Sequence, residues 1–545
     1  MKKRSRTHRG ESSPEHDPLR RASRSLHKPD PTATSLRLTL RNLFAIDPRS
    51  LALFRIAMGV ILLADLAVRA TDLSVMYTDE GMFPRAEICR RFTTIWNWSF
   101  HFGSGAAGYQ AMLFSLAAVL ALALLAGFET RLAAIGSWLM LISIHHRVPP
   151  ILSGAEILLR TLLLWAVFLP LERAWSVDGW LDKRRGRAAI QRGEVPVLSV
   201  ASVAILSQMA LMYFLSAIYK SNEQWFHGDV IAGTMAHDFY ASPLGASLLR
   251  FPRLLTGLTW ATLALEWVGP LLLFSPKCAL RLVTIAALAA MHLGIGLCLE
   301  VGLFSYVAVA GLALFLPAEF WNSRLLARFS QLAEPVAGGR TFMGKTAQAR
   351  SFVPQGLCLG LFIYVLAVDI SYLPGRPLAP LRPEKWKPIA TTLGLGQRWA
   401  MFEAVPTKSG WYVGRAKLQD GSEVDLLRHG APVDWKKPPF PARLYPNHYW
   451  QKLFREMTYF DEHGFQVWRA PVAKYLCRQW NAQHPPEKQI AEFEFIFCME
   501  NNTGPADSSS RWISREQLVY LDLRGPWILE STPSPAQSVS ASGTR

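Results

Sequence analysis

Residues 53–66, with the sequence LFRIAMGVILLADL, decide the fold class of this chain. Only Arg55 and Asp65 are ionisable in this run, and with its flanks it covers residues 50–69. About 20 consecutive apolar residues are enough for an α-helix to cross a bilayer. The run is therefore predicted to be a transmembrane helix.

Eight more apolar runs of similar length follow before residue 371. They lie at about 108–127, 131–147, 154–172, 198–219, 254–274, 279–298, 302–318 and 352–370. The runs at 131–147 and 302–318 are short, so eight spans remain an alternative to nine. The pattern predicts an all-α polytopic membrane protein with about nine transmembrane helices and a C-terminal α+β extramembrane domain.

The composition supports a membrane protein over a disordered or nucleic-acid-binding one. The chain has 545 residues, of which 50% are hydrophobic and 18% charged, with a net charge of +17. Such a charge in a soluble protein would suggest a nucleic-acid partner. Here much of the excess lies in an N-terminal arm, where residues 1–41 contain eleven Lys and Arg against four acids. We expect this arm to be a topology signal, with the lipid bilayer and not nucleic acid as the partner of the chain.

Positive charge in alternate loops predicts the orientation. Lys and Arg recur in the loops at 128–131, 173–197, 275–281 and 319–351, which all fall on the side of the basic arm if nine spans are present. Cytoplasmic loops carry such an excess. We therefore expect a cytoplasmic N-terminus and a C-terminal domain that is external or periplasmic.

Four regions follow from these patterns. We predict a disordered basic cytoplasmic arm at 1–45, a transmembrane domain at 46–370, an external α+β domain at 371–530 and a disordered tail at 531–545. In the external domain, Asp420-Gly421 indicates a hairpin turn, and residues 491–499 alternate like a half-buried strand. Apolar positions at 449–459 and 472–481 have helical spacing. Cys477 and Cys498 are either a disulfide pair or two core thiols.

Several chemistries have no residues to support them. The sequence contains no phosphate-binding Walker loop, no GxGxxG, no GxSxG, no HExxH and no CxxC pair. These motifs are typical of ATP-driven, dinucleotide-binding, hydrolase and zinc sites. We predict no metal site and disfavour an ATP-driven pump.

Ionisable residues inside the spans need a partner or a function, because each costs roughly 2.5–3.5 kcal/mol on insertion. Arg55 is expected to extend to the cytoplasmic face, and Glu156 and Arg160, four residues apart, can neutralise each other. Glu266 has no partner on its own helix and must find one on a neighbour, as part of a pathway or of polar packing. His292 interrupts an apolar helix and is either a hydrogen-bonded core residue or a functional one.

The densest polar cluster is KSNEQWFHG at residues 220–228, followed by His237 and Asp238, at the predicted external end of the fifth span. Lys220 can extend into the lipid headgroups. Alternatively, partial desolvation would make its neutral amine a usable general base.

Four stretches resemble the vitamin K-dependent γ-carboxylase superfamily and its bacterial relatives, the HTTM (horizontally transferred transmembrane) proteins. They are residues 53–66 with MYTDEGMFPR at 76–85, WSVDG at 175–179, the spacing YF-x5-K-x4-W-x2-G-x8-H from Tyr213 through Lys220 and Trp225 to His237, and His292 with GLFSY at 302–306. Together they cover most of residues 45–320.

This resemblance implies a site and a cofactor. By resemblance, Lys220 is a general base that deprotonates a reduced quinone, with His292 and His237 as catalytic or supporting residues. Trp225, Glu266 and Tyr213 would line the quinone cavity. The carboxylase histidine that precedes the fourth span has no counterpart in SGAE at residues 153–156, which argues against carboxylation of glutamate.

Three functions are therefore open. The first is quinol-dependent base chemistry by Lys220 at the external leaflet. The second is a non-catalytic membrane protein that binds a protein partner or a lipid-linked ligand through its external domain. The third is a transporter, which would depend most on Glu266 or on the Glu156 and Arg160 pair.

Overall fold

The computed structural model describes residues 39–92, 94–185, 195–323, 347–374, 386–405, 408–459, 465–501, 513–523 and 528–530. The predicted basic arm up to residue 38, the loop residues 186–194 and 324–346 and the predicted tail after residue 530 lie outside this part of the chain.

In the described part of the chain, nine helices occupy the positions of the predicted spans. They are α1 (Pro48–Thr71), α2 (Ala107–Ala126), α3 (Thr130–Arg147), α4 (Gly154–Ala166), α5 (Val200–Lys220), α6 (Pro252–Leu272), α7 (Cys278–Cys298), α8 (Phe304–Leu312) and α9 (Ala347–Ser371). Among the described residues, five helices are long and apolar enough to cross a membrane: α1, α2, α5, α7 and the Val353–Ser371 part of α9. The chain is thus a multi-pass membrane protein. Helices α3, α4, α6 and α8 are shorter or more polar, so a ninefold crossing stays a prediction.

A polar clamp joins the ends of the first helices. The Asp178 carboxylate accepts hydrogen bonds from the Thr130 backbone N (2.9 Å) and Oγ1 (2.7 Å), and so caps the start of α3. The buried Arg55 guanidinium donates to the Leu124 carbonyl oxygen (3.1 Å) at the end of α2. Between these helices Gly127 has φ +70°, and a Cβ there would lie 1.9 Å from Arg55 Nη1. The prediction that Arg55 extends to the membrane surface is wrong, because free carbonyls at a helix end bind it inside the protein.

The C-terminal region, residues 386–530, contains an antiparallel sheet of five strands. These are β1 (Lys408–Leu418), β2 (Glu423–Asp425), β3 (Ile490–Asn501), β4 (Ile513–Asp522) and β5 (Ile528–Glu530). Their order is β2-β1-β3-β4-β5. The predicted hairpin at Asp420-Gly421 and the predicted strand at 491–499 are confirmed.

Two helices pack against this sheet, α10 (His448–Tyr459) and α11 (Arg469–Gln483), which confirms the two helices predicted from periodicity. Alternate residues of β3, among them Phe493, Phe495 and Phe497, are fully buried. The hydrophobic core continues from the membrane helices into this region without a break. Cys477 and Cys498 are both buried free thiols, so the disulfide alternative is wrong.

Candidate functional site

One face of α5 carries three polar side chains. Two of them, Tyr213 and Lys220, were singled out in the sequence. Tyr213, Ser216 and Lys220 are spaced i, i+3 and i+7, which places them on the same side of a helix. All three side chains are buried. This face is directed at α6 and α7, which carry Glu266 and His292.

Lys220 forms a buried ion pair with a carboxylate on the neighbouring helix. Its Nζ lies 2.5 Å from Glu266 Oε1, and only 6% of each side chain is exposed. Lys220 also donates a hydrogen bond to Ser216 Oγ (2.8 Å), and its Nζ lies 5.2 Å from the centre of the Trp225 ring. The prediction that Glu266 must find its partner on another helix is confirmed.

A second pair lies next to the first on α5. The Tyr213 hydroxyl is hydrogen-bonded to His292 Nε2 at 2.9 Å, and the His292 ring packs against Phe304 with 5.5 Å between ring centres. The charge of Lys220 acts on the His292 imidazole, and the charge of Glu266 acts on the Tyr213 hydroxyl group. The structure therefore brings Lys220, Glu266, Trp225, Tyr213 and His292 into one cluster.

Two buried polar atoms in this cluster remain open. Glu266 Oε2 and His292 Nδ1 have no hydrogen-bond partner in the described part of the chain. Such atoms are costly to bury unless a further group satisfies them. The outer face of α6 is apolar and exposed at Trp260, Val268 and Leu271, as expected for contact with lipid. The two hydroxyl groups of a quinol are of the right chemistry for the open atoms, so the residues present fit this cofactor class.

A segment that the sequence did not single out separates this cluster from a large cavity. We call residues 398–405 the wall segment. The Trp225 indole N–H donates to the Phe402 carbonyl (3.0 Å), and Asn222 Nδ2 donates to the Glu403 carbonyl (2.8 Å). Phe402 in turn packs against Trp225 and lines the cavity. Trp225 therefore contacts Lys220 with its ring and holds the wall segment with its N–H.

The cavity is open and encloses about 780 Å³. Its lining comes from five parts of the chain: the start of α4, the segment with His237 and Tyr240, the turn at the start of α8, the wall segment and the helix α10. The structure places His237 on this lining, fully buried, with its ring 5.3 Å from that of Tyr240. His237 is thus held at the cavity, while His292 is held at the Lys220 cluster.

The polar face of α10 forms the other side of the cavity. His448, Gln451, Lys452, Arg455 and Glu456 are spaced i, i+3, i+4, i+7 and i+8, and all five line it. Burial lowers the pKa of His448 below its ordinary value, and it lowers the pKa of Lys452 to about 8. This face is a feature that sequence reasoning missed, although the helical period of residues 449–459 indicated a polar side.

A second ionic network joins α1 to α4 and α10. Arg69 Nε donates to Asp65 Oδ2 (2.8 Å), and Arg69 Nη2 lies 3.5 Å from Glu156 Oε1. The Tyr449 hydroxyl donates to Asp65. Because Glu156 faces Arg69, the predicted Glu156 and Arg160 pair is not formed as a direct contact.

Arg160 instead contacts His145, with 3.3 Å between Nη1 and Nδ1. The His145 side chain is fully buried, and so is most of the Arg160 side chain. Within the described ranges, no group of three His, Cys, Asp or Glu residues is placed to hold a metal ion.

Comparison with known proteins gives one result for the family and one for structures. A family model described as the HTTM domain matches residues 44–321. This range is just over half of the chain and contains α1 to α8 together with the Lys220 cluster. It ends before the wall segment and α10. No solved structure matches the chain.

Proposed function

Because the chain belongs to the HTTM domain family, we propose that it uses Lys220 as a general base toward a lipid-soluble quinol at the external boundary of the membrane. The observation that carries the proposal is the buried contact between Lys220 Nζ and Glu266 Oε1 (2.5 Å), next to open polar atoms. A quinol supplies acidic hydroxyl groups and two electrons, and its apolar tail can remain in lipid.

The Lys220 ammonium cannot accept a proton until it has given one up. In the proposal Glu266 Oε1 takes that proton, because the carboxylate is already hydrogen-bonded to Nζ and the neutral pair needs no solvation by water. The neutral amine, oriented by Ser216 Oγ at 2.8 Å, then accepts the proton of a quinol hydroxyl. Each proton moves along a hydrogen bond, as general base catalysis requires.

Tyr213 and His292 have a binding role in this proposal. Their hydrogen bond of 2.9 Å fixes the imidazole ring, so that His292 Nδ1 is directed away from Tyr213 and can bond the second hydroxyl group. Phe304 packs against the His292 ring and Trp225 lies against Lys220, so the two aromatic rings exclude water from the cluster. Exclusion of water strengthens the polar contacts that remain.

The test combines labelling with a rate measurement on the purified chain. A photoreactive quinone with an isoprenoid tail should label peptides that contain Lys220 or His292, and free quinone should compete. Oxidation of the corresponding quinol by dissolved oxygen, which yields quinone and hydrogen peroxide, should be faster with the protein than without it. General base catalysis contributes about 10²–10⁴-fold.

Lys220→Ala should remove most of this acceleration while labelling near His292 persists. Lys220→Arg should also be inactive, because arginine does not deprotonate in proteins. Lys277→Ala is a matched control, since Lys277 is an exposed lysine at the start of α7. Full activity in both Lys220 variants would overturn the proposal, and absence of competed labelling would favour a protein that binds a ligand through its C-terminal region.

A further inference from the structure

The polar face of α10 has more positive than negative charge next to the cavity. Lys452 Nζ is hydrogen-bonded to Glu456 Oε1, and Arg455 Nη2 lies 3.7 Å from the same oxygen. Two cations therefore share one carboxylate. Their side chains are 18% and 14% exposed, so solvent in the cavity screens the excess only in part.

Arg455 has donor groups that the protein leaves open. At 3.7 Å its contact with Glu456 is too long for a hydrogen bond. Its guanidinium lies over the Tyr240 ring, 4.8 Å from the ring centre. In the described part of the chain its side chain donates no hydrogen bond. A guanidinium that lies over an aromatic ring on the lining of a cavity, with N–H groups that no protein acceptor takes, is suited to binding an oxyanion.

The other acids of the lining do not remove this excess. Glu403 is paired with Arg398 on the wall segment, 3.2 Å apart. Glu300 is exposed, at the turn that precedes α8. Glu156, which acts on Lys452 from α4, is itself taken up by Ser153 and Arg69. Among the side chains that line the cavity beside Tyr240, one carboxylate therefore faces two cations, which matches a ligand with a single negative charge.

Part of the lining is apolar. Val301, Phe304, Met401 and Phe402 contribute to it from the turn before α8 and from the wall segment. A cavity of about 780 Å³ is far larger than an isolated anion and lies within the range of sites for small organic ligands. The ligand is thus expected to have an apolar part next to its charged group.

We propose that this cavity binds a phosphate ester, with the phosphate oxygens on Arg455 and Lys452 and the attached organic group against the apolar side of the lining. A phosphodiester carries one negative charge and presents two equivalent oxygens to the arginine fork. The ester is either the headgroup of a phospholipid or a soluble phosphate ester. This site is separate from the Lys220 cluster and does not depend on quinol chemistry there.

The experiment measures ligand binding to the purified full chain in an uncharged detergent, by native mass spectrometry with titration. The ligands are a short-chain phosphatidylglycerol, the matching phosphatidylcholine, the soluble phosphodiester glycerophosphocholine, inorganic phosphate and a fatty acid. A lipid source predicts binding of both phospholipids, whereas a soluble source predicts binding of glycerophosphocholine that the lipids do not exceed.

The variants test which residues hold the phosphate. Arg455→Gln should weaken binding about tenfold or more, because it removes charge-assisted hydrogen bonds, and Arg455→Lys should lie between it and the wild type. Arg443→Gln is the matched control, since Arg443 is an exposed arginine that also lies over an aromatic ring, at 5.7 Å from Phe440. A thermal unfolding curve for each variant separates loss of binding from loss of folding.

Two results would overturn the proposal. One is equal affinity for the fatty acid and the phosphate esters, which would indicate a general site for anionic amphiphiles. The other is unchanged binding in both single variants, Arg455→Gln and Lys452→Met, when each of them is folded. Lys220→Ala should bind phosphate esters like the wild type, so failure of the quinol proposal would leave this one intact.

Discussion

Lys220 and Lys452 are both largely buried lysines that bond one carboxylate, yet the regions around them are arranged differently. Lys220 pairs with Glu266 across two helices, and the pair is covered by Trp225. Lys452 pairs with Glu456 on its own helix, shares it with Arg455 and faces an open cavity. The first region balances its charge internally, whereas the second has a charge to spare.

This difference indicates what each region can do. A closed pair with balanced charge can exchange a proton at little electrostatic cost, because the neutral and the ionic forms have the same net charge. An open region with excess positive charge gains from an anion that arrives from outside. The two regions therefore differ in their charge balance and in whether an outside ligand can reach them, and each property can be changed by mutation.

The largest expected effect is from breaking the closed pair. Glu266→Ala should lower the free energy of unfolding by about 3–5 kcal/mol, because it leaves a buried ammonium without a counter-charge. Glu456→Ala should cost clearly less, since the cavity lets water reach Lys452 and Arg455. Chemical unfolding in detergent measures both, and the double variant Lys220→Met with Glu266→Leu should recover most of the loss. Equal losses at the two carboxylates would contradict the distinction between the regions.

A smaller effect is expected at the second hydrogen-bonded pair of the closed region. Tyr213→Phe removes the hydroxyl group that bonds His292 Nε2 at 2.9 Å. The variant should lose about 1–3 kcal/mol of stability, because the histidine then has a buried polar atom without a partner. His292→Phe in the same background should add little further loss, and an additive double variant would show that the two side chains do not act together.

The boundary between the two regions is tested by Trp225→Phe. This change keeps an aromatic ring beside Lys220 but removes the donor to the Phe402 carbonyl. We expect a loss of about 0.5–1.5 kcal/mol, typical of one hydrogen bond. Hydrogen exchange of the amides in the wall segment should rise in the variant, while exchange in α5 should stay unchanged.

A further expected effect is a pH dependence that originates at Lys452. Its pKa is about 8 in the folded protein, below the 10.5 of an exposed lysine, through burial and the adjacent Arg455, with Glu456 and Glu156 acting in the opposite direction. The unfolded chain therefore binds more protons between these values, so stability should rise from pH 8 toward pH 10.5 and be lower below pH 8. Phosphate ester binding should weaken over the same interval as Lys452 loses its charge. Lys452→Met should remove both slopes.

The sequence was a good guide to features that local periodicity and turn residues determine. The helices at the predicted span positions, the hairpin at Asp420-Gly421 and the helices and strand of the C-terminal region follow from such patterns. Glu266 required a partner on another helix because burying an unpaired carboxylate in a membrane is costly.

The rest depends on distances between remote parts of the chain. The partner of Glu156 is Arg69, which is 87 positions earlier in the sequence (156 − 69), and the wall segment follows Trp225 by more than 170 residues. Nothing in local spacing indicates such pairs. Arg160 was assigned to Glu156 because four residues make one helical turn, but the Glu156 carboxylate is taken up by Ser153 and Arg69 at the start of α4.

The clamp around Asp178 has a consequence for the synthesis of the protein. The turn between α2 and α3 receives its cap from Asp178, which follows α4 in the chain. The residues of α2, α3 and α4 precede Asp178 in the chain, so the turn is synthesised before the carboxylate that stabilises it. Until then, three donor groups, those of Glu129 N, Thr130 N and Thr130 Oγ1, lack the acceptor that Asp178 provides. The turn between α2 and α3 therefore reaches its final stability only after the WSVDG segment has been added.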